Sequence, residues 1–232
     1  MEPLASRPPA VAVMAKVPGV TPVKSRLHSA LTPDRATDLY RCFLLDRVDA
    51  LMALPGIVPV IAFTPAEAAG TLAALVPGGL RCVAQRGDDL GERLAAILAT
   101  LLADGHRGAI AIDSDSPTLP MGYVAEAAHA LASDAADVTV GPCDDGGYYL
   151  IGVGRPQPRL FDGIPWSTER VLSMTLERAA ALGLRIHVLP AWFDVDTEAD
   201  LRRLHREMRA GGGPGRTRAF VHDLFARDDA LR

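Results

Sequence analysis

The chain lacks the features that would place it in several large functional classes. Only three cysteines occur in 232 residues, Cys42, Cys82 and Cys143. An odd number, widely spaced and without a CxxC pair, argues against a disulfide framework or a thiolate zinc site. Such cysteines fit a reducing compartment as small core residues. The six histidines show no HExxH or other metal-ligand spacing. No apolar run approaches the roughly 18 residues of a membrane helix. The apolar stretch 10–15 is too short for a secretory leader, and Glu2, Arg7, Pro8 and Pro9 precede it. A cytoplasmic protein without a membrane span is expected. Charge of one sign is also scarce: 24 Lys and Arg stand against 28 Asp and Glu, a net −4. That argues against a broad polyanion-binding face, so no nucleic-acid partner is expected. Neither a Walker A loop nor GxGxxG is present.

What remains is an ordinary globular composition, 49% hydrophobic and 22% charged, long enough for one sizeable α/β core. Strands are predicted at 10–15, 57–63, 80–84, 109–112, 137–140, 148–153 and 184–189. Pro59 weakens the second of these. Helices are predicted at 33–53, 65–76, 88–102, 120–132, 168–182 and 197–208, with a last short one at 218–226. Thr32-Pro33 reads as a cap followed by Pro at the first helical position, and Thr197 caps the helix that follows it. The alternation implies a Rossmann-like, mostly parallel sheet with helices on both faces. A single domain is expected: a nucleotide-binding half over about 10–143, an acceptor half over about 144–210, and a flexible tail with a short helix over 211–232.

Ligands of open parallel sheets sit outside the carboxyl ends of the strands. Three segments fall there. Asp113 and Asp115 leave a fully apolar strand into a turn closed by Pro117. Paired carboxylates suit Mg²⁺ or Mn²⁺, which also binds phosphate oxygens. The plainer alternative is N-capping by Asp115 or Ser116. Lys16, Lys24 and Arg26 lie in a Pro/Gly loop after the first strand, where three cations can neutralise a di- or triphosphate. The alternative is a solvated loop. Asp144, Asp145, Gly146 and Gly147 follow the fifth strand. Either aspartate could bind an acceptor hydroxyl or act as a base, or the segment is a simple Asp-Gly turn. A fourth segment, Asp194-Val195-Asp196-Thr197, ends in a capping box with Asp200. The box leaves Asp194 and Asp196 free to face the site.

In this order, KVPGVTPVKSRL (16–27), GDDLGERLAAIL (87–98), DSDSPTLP (113–120), GPCDDGGYYLIG (141–152), FDGIPWSTERVL (161–172) and DVDTEADL (194–201) resemble the radical-SAM/selenodomain-associated transferases. That is a predicted glycosyltransferase family with the GT-A nucleotide-diphospho-sugar transferase fold. The resemblance implies phosphate contacts for Lys16, Lys24 and Arg26, and a nucleoside-side loop at Gly91, Glu92 and Arg93. It implies metal ligation by Asp115 and Asp196. Asp113 stands where the family usually has glycine, which creates an apparent Asp-x-Asp whose first member has an open role. Asp145, Gly146, Gly147 and Tyr148 match an acceptor-side segment, and Trp166, Ser167 and Thr168 a second one. Trp166 could be a stacking platform or a core aromatic.

The fold hosts two metal-assisted reactions. Glycosyl transfer passes a sugar from a nucleotide-sugar to a small acceptor. Nucleotidyl transfer joins a nucleoside triphosphate to a small phosphorylated substrate and releases pyrophosphate. The family's usual assignment, the Asp-x-Asp and Trp166 favour the first. The Val-Lys-Ser-Arg-Leu core (23–27) is similar to the loop of the phospholactate guanylyltransferases and favours the second. Lys24 and Asp145 are the candidate catalytic residues. A non-catalytic nucleotide-binding module ranks last, and a homo-oligomer is compatible with the sequence.

Overall fold

The computed structural model describes residues 7–211 and 213–230, with side chains at 211 and 227–230 set aside. Glu2, which argued against a leader, and Gly212 of the expected flexible stretch lie outside the described residues. Seven strands, β1 (Ala10–Lys16), β2 (Val58–Thr64), β3 (Arg81–Ala84), β4 (Ala109–Ile112), β5 (Val138–Pro142), β6 (Tyr148–Val153) and β7 (Ile186–Val188), form one sheet in the order β3-β2-β1-β4-β6-β5-β7. The helices are α1 (Pro33–Ala53), α2 (Ala69–Leu75), α3 (Leu90–Ala103), α4 (Met121–Ala132), α5 (Val171–Ala181), α6 (Glu198–Gly211) and α7 (Gly215–Ala230). Among the described residues no helix is long and apolar enough to cross a membrane.

Alternation along the strands builds two unlike faces. Val11, Val13, Ile61, Phe63, Ile110 and Ile112 pack with α1, α2 and α4. Ala10, Ala12, Ala62, Ala109 and Ala111 form a flatter floor under Leu94, Ile97, Leu98 and Leu101 of α3. Pro59 is tolerated for a local reason. Val58 donates its N–H toward β1, so Pro59 would donate to the opposite side, where pairing with β3 begins only at Val60.

One strand breaks the parallel rule. β6 runs antiparallel to both β4 and β5 and lies between them. A tight loop leaves the carboxyl end of β5 and re-enters directly as β6. The segment Asp144–Tyr148 therefore stays at the same sheet edge as the ends of β1 and β4.

The expected last short helix is a 16-residue helix, Gly215–Ala230. Asp46 of α1, 6% exposed, caps its first turn by accepting from the backbone N–H and the hydroxyl of Thr217, at 2.8 and 2.7 Å. Helices α1, α6 and α7 enclose a separate cluster that includes Leu27, Leu39, Phe43, Phe193, Val195, Leu204 and Val221. Leu27 belongs to the lysine loop and Val195 to the Asp194–Thr197 loop, so this satellite core sets the positions of both.

Candidate active site

Lys24 adopts a left-handed conformation, φ 51°, just before a short 3-10 helix at Ser25–Ser29. For a non-glycine residue that costs about 1–2 kcal/mol. Burial of Val23 and Leu27 on either side, about 1.5–3 kcal/mol for each fully buried side chain, more than offsets it. The twist turns the Lys24 side chain inward until it is 3% exposed. Its ammonium lies 2.8 Å from Asp115 Oδ1 and 2.9 Å from Asp196 Oδ1. Burial works against the charge. The two carboxylates outweigh it, and the group is held protonated, above its usual range.

Asp115 and Asp196 are 81 positions apart in sequence, yet one cation joins them. A backbone hydrogen bond from Val195 N to Asp115 O, 3.0 Å, fastens the two loops together. The predicted capping box also forms: Thr197 N donates to Asp200 Oδ2 at 2.8 Å, and Asp200 N donates to Thr197 Oγ1 at 3.3 Å. Asp200 takes the capping role, which leaves Asp196 free for Lys24.

Asp113 points elsewhere. It accepts a 2.6 Å hydrogen bond from the Ser116 hydroxyl, and its Oδ1 is buried without a partner. Burial, then the neighbouring Asp115, raises its carboxyl to about 7. Burial followed by Asp196 and Asp145 raises Asp194 to about 6. Behind the turn, buried Arg47 donates through Nη2 to Ser116 O.

The acceptor-side residues sort themselves by contact. Asp144 is engaged by Arg203 at 2.7 Å and faces away from the cleft. Asp145 lines the cleft and accepts from Gly147 N at 2.8 Å. Gly146 has φ +88°, and a Cβ there would sit 2.2 Å from the Glu169 carbonyl oxygen. Glycine is required because Gly146 itself lies directly against the Glu169 backbone, next to Trp166, Ser167 and Thr168 in sequence. Gly146 O accepts from Leu172 N at 2.9 Å. Tyr148 lines the cleft with a buried hydroxyl. Trp166 packs its ring over Gly91, where a Cβ would approach it to 2.6 Å, and lies 6.4 Å from Phe161. Trp166 is therefore a packed aromatic that also reaches the cleft wall.

The GDDLGER segment divides. Glu92 closes the α3 cap, accepting from Asp88 N at 2.8 Å while its own N–H donates to Asp89 Oδ1 at 2.8 Å. Gly91 lies under Trp166. Arg93 reaches the cleft beside the β1 and β4 ends. The structure thus places one residue of the expected nucleoside-side trio, not three, on the cavity that holds Lys16 and Lys24.

Two cavities meet at Asp115 and Asp196. The first, about 410 Å³, is lined by Lys16, Lys24, Arg26 and Arg93 with Tyr40, Gln85 and Ser114. The second, about 420 Å³, is lined by Asp113, Asp145, Glu169 and Asp194 with Tyr148, Trp166, Ser167 and Thr168. Arg26, 75% exposed, borders both and lies 3.9 Å from Asp196. Tyr40 escapes sequence reasoning. Its hydroxyl accepts from Lys16 N at 3.0 Å and bonds Ser114 Oγ at 2.9 Å, which ties β1 to the aspartate turn. A tyrosine among the apolar positions of α1 is its only sequence signal. Gln85 at the end of β3 has none.

Among the described residues no three His, Cys, Asp or Glu side chains converge as a ready-made metal shell. Two carboxylates directed at one point do fit Mg²⁺, which commonly takes one or two protein carboxylates and completes its shell with phosphate and water.

Residues 47–168 match the family described as "Uncharacterized protein conserved in bacteria (DUF2064)". The chain belongs to that family. It is 31% identical over 222 residues to a phosphoenolpyruvate guanylyltransferase of Nocardia farcinica (strain IFM 10152), covering 94% of this chain and 93% of that protein. A crystal structure from Desulfovibrio desulfuricans G20, described as a candidate nucleotide-diphospho-sugar transferase, superposes with a TM-score of 0.86 at 31% identity over 96% of both chains. The molybdopterin-guanine dinucleotide biosynthesis protein A of Archaeoglobus fulgidus shares the fold alone, with a TM-score of 0.54 at 13% identity over 87% of this chain and 99% of that one. The resemblance read from the six motifs is borne out for this DUF2064 chain. Its fold is that of the nucleotide-diphospho-sugar transferases.

Proposed function

We propose that this chain is a nucleotidyltransferase that joins a nucleoside triphosphate to a small phosphorylated acid and releases pyrophosphate. The observation that carries the reading is the set of four cations, Lys16, Lys24, Arg26 and Arg93, around one 410 Å³ cavity. With Asp115 and Asp196 taken up by a divalent cation, a triphosphate would carry enough negative charge to meet all four; a nucleoside diphosphate-sugar carries less. The guanylyltransferase relative from Nocardia supports guanosine triphosphate as the nucleotide and phosphoenolpyruvate as the first acceptor to test.

In this reaction an acceptor phosphate oxygen attacks the α-phosphorus. The bond from α-phosphorus to the bridging oxygen breaks, pyrophosphate leaves with that electron pair, and a new phosphoanhydride forms. Lys24 is protonated and held between two carboxylates, so it can stabilise charge on the phosphates without first taking up a proton. Lys16 and Arg26 at the open rim suit the departing pyrophosphate. Asp115 and Asp196 would hold Mg²⁺ once the Lys24 ammonium that now joins them pairs with substrate phosphate instead. That ion would supply Lewis-acid charge and let an anionic acceptor approach the carboxylate-lined second cavity.

A second reading keeps one specific observation in its favour. The second cavity is rich in carboxylates, including Asp145 and Asp194, and such walls suit the hydroxyls of a glycosyl acceptor. The products separate the two. Incubation of the full chain with Mg²⁺, guanosine triphosphate and phosphoenolpyruvate should release pyrophosphate. Nucleoside diphosphate from a nucleotide-sugar, with no pyrophosphate from any triphosphate and acceptor pair, would overturn the nucleotidyl reading.

A further inference from the structure

Gln85 follows β3 and leans back over the neighbouring strands, on the wall of the first chamber. Its backbone N–H donates to Phe63 O at 2.8 Å, which carries the pairing of β3 with β2 one residue further. Its side-chain Nε2 donates to Ala62 O at 2.7 Å and, more weakly, to Ala15 O at 3.4 Å. A carboxamide nitrogen only donates, and both of these neighbours are carbonyl oxygens. The nitrogen is therefore pinned to the sheet, and Oε1 is left on the other side of the amide. Oε1 accepts from no described residue and is not among the side-chain atoms shut away from solvent. It is a fixed acceptor. Reversing the amide would set Oε1 against two carbonyl oxygens and lose the bond to Ala62 O.

Strand order sets this acceptor apart from the phosphate end of the chamber. The aspartate turn leaves β4, and β1 and then β2 follow on one side of it. Neighbouring strands are about 4.8 Å apart, so the β2 carbonyl that holds Gln85 lies about 10 Å across the sheet from β4. With phosphates beside Lys24 and Asp115, a ribose would span that interval and bring the base to Gln85. Met14 and Leu90 line the same chamber, and Leu90 is 44% exposed, an apolar surface that suits the flat face of a base. We propose that Gln85 reads the base of the nucleotide, with Oε1 accepting from the N1–H and the 2-amino group of guanine. The proposal rests on the nucleotidyl reading and names the residue that selects its nucleotide. Guanine presents two N–H donors on that edge. Adenine presents there the lone pair of N1 and a C–H, so two acceptors would meet. Hypoxanthine keeps N1–H and lacks the amine.

The test is calorimetric binding of guanosine, inosine and adenosine triphosphates to the full chain with Mg²⁺ and no acceptor. Guanosine triphosphate should bind about tenfold more tightly than inosine triphosphate, the difference of one hydrogen bond, and at least about a hundredfold more tightly than adenosine triphosphate. Gln85→Met keeps the length of the side chain and removes the acceptor. It should cut the guanosine-to-adenosine ratio of affinities at least about tenfold. A merely structural role would weaken all three nucleotides in step, and an unchanged ratio would overturn the proposal. If Gln85→Met does not fold, the unaltered chain still decides. Equal affinity for guanosine and inosine triphosphates, or a preference for adenosine triphosphate, overturns the proposal. Because no acceptor is present, the result is separable from pyrophosphate release. Equal binding of all three with pyrophosphate released overturns the role of Gln85 alone. Binding of no triphosphate overturns the nucleotidyl reading and this role together.

Discussion

The two chambers of the cleft share Asp115, Asp196 and Arg26 but are opposite in charge. The first adds three cations, Lys16, Lys24 and Arg93; the second adds four carboxylates, Asp113, Asp145, Glu169 and Asp194. The first is built from the ends of β1 and β4 and the start of α3, and the second mostly from the β5–β6 loop and the segment before α5. In the proposed reaction the phosphate-rich substrate would lie in the first chamber. The second is inhospitable to an anion unless a divalent cation sits at the border. In the proposed reaction the divalent cation would therefore sit at the boundary, where the two shared carboxylates meet Lys24.

The largest effect is expected at that boundary. Chelation of divalent ions, or Asp115→Ala, should reduce pyrophosphate release by at least about a thousandfold. Turnover at the wild-type rate in either case would show that the boundary holds no metal. Asp115→Ala also leaves buried Lys24 with one carboxylate, so thermal unfolding should reveal a loss of up to about 3 kcal/mol. Asp113→Gly, the residue usual in the resembled family, should harm turnover less. Equal damage from the two substitutions would make Asp113 a full partner.

Next come the chambers taken separately. Arg26→Ala should raise the KM for the nucleoside triphosphate about tenfold, since a well-placed charged contact contributes about 1.5–3 kcal/mol in a site and less where exposed. Asp145→Asn should alter the KM for the acceptor and leave that for the nucleotide unchanged. Steady-state kinetics with each substrate varied in turn would break the comparison if Asp145→Asn moved only the nucleotide KM.

Gly146→Ala tests what holds the second chamber together. The positive φ and the Glu169 carbonyl at 2.2 Å from a built Cβ imply a loss of about 1–3 kcal/mol in chemical denaturation. Acceptor turnover should fall with it while nucleotide binding, measured calorimetrically, persists.

The smallest effect lies far from both chambers. Arg185 hydrogen-bonds Asp137 and lowers its carboxyl from the ordinary 3.8 to about 2. A depressed acid contributes stability above its unfolded pKa and loses it as pH falls through the folded value. Asp137→Asn should therefore lower the melting temperature slightly at pH 7, and the difference should disappear between about pH 4 and pH 2. The pair is exposed, so the shift will be small. An equal difference at both pH values would mean that packing, not charge, is responsible.

Much of the architecture was legible in the sequence because local patterns determine it. AIAI at 109–112 is a strand to the residue, and Thr32-Pro33 caps α1 as predicted. Strand ends after short apolar runs carry the lysine loop, the aspartate turn and the Asp-Gly-Gly loop to one edge. Less visible was the direction of β6, since a six-residue apolar run carries no sign for parallel or antiparallel pairing. The length of α7 was also missed, because its cap comes from Asp46, 170 positions away from Arg216 and on another helix.

The aspartates show the division most clearly. From the sequence, Asp113, Asp115, Asp194 and Asp196 were four carboxylates at strand and helix boundaries, and spacing assigned them to the edge where a phosphate ligand would lie. Residue chemistry and periodicity suffice for that, because both act within a few residues. Only the tertiary structure decided that Asp115 and Asp196 share Lys24, that Asp113 turns to Ser116, and that Asp144 is engaged by Arg203 while Asp145 faces the cleft. These assignments depend on which groups are desolvated together. That is set by the satellite core of α1, α6 and α7, whose members come from distant parts of the chain.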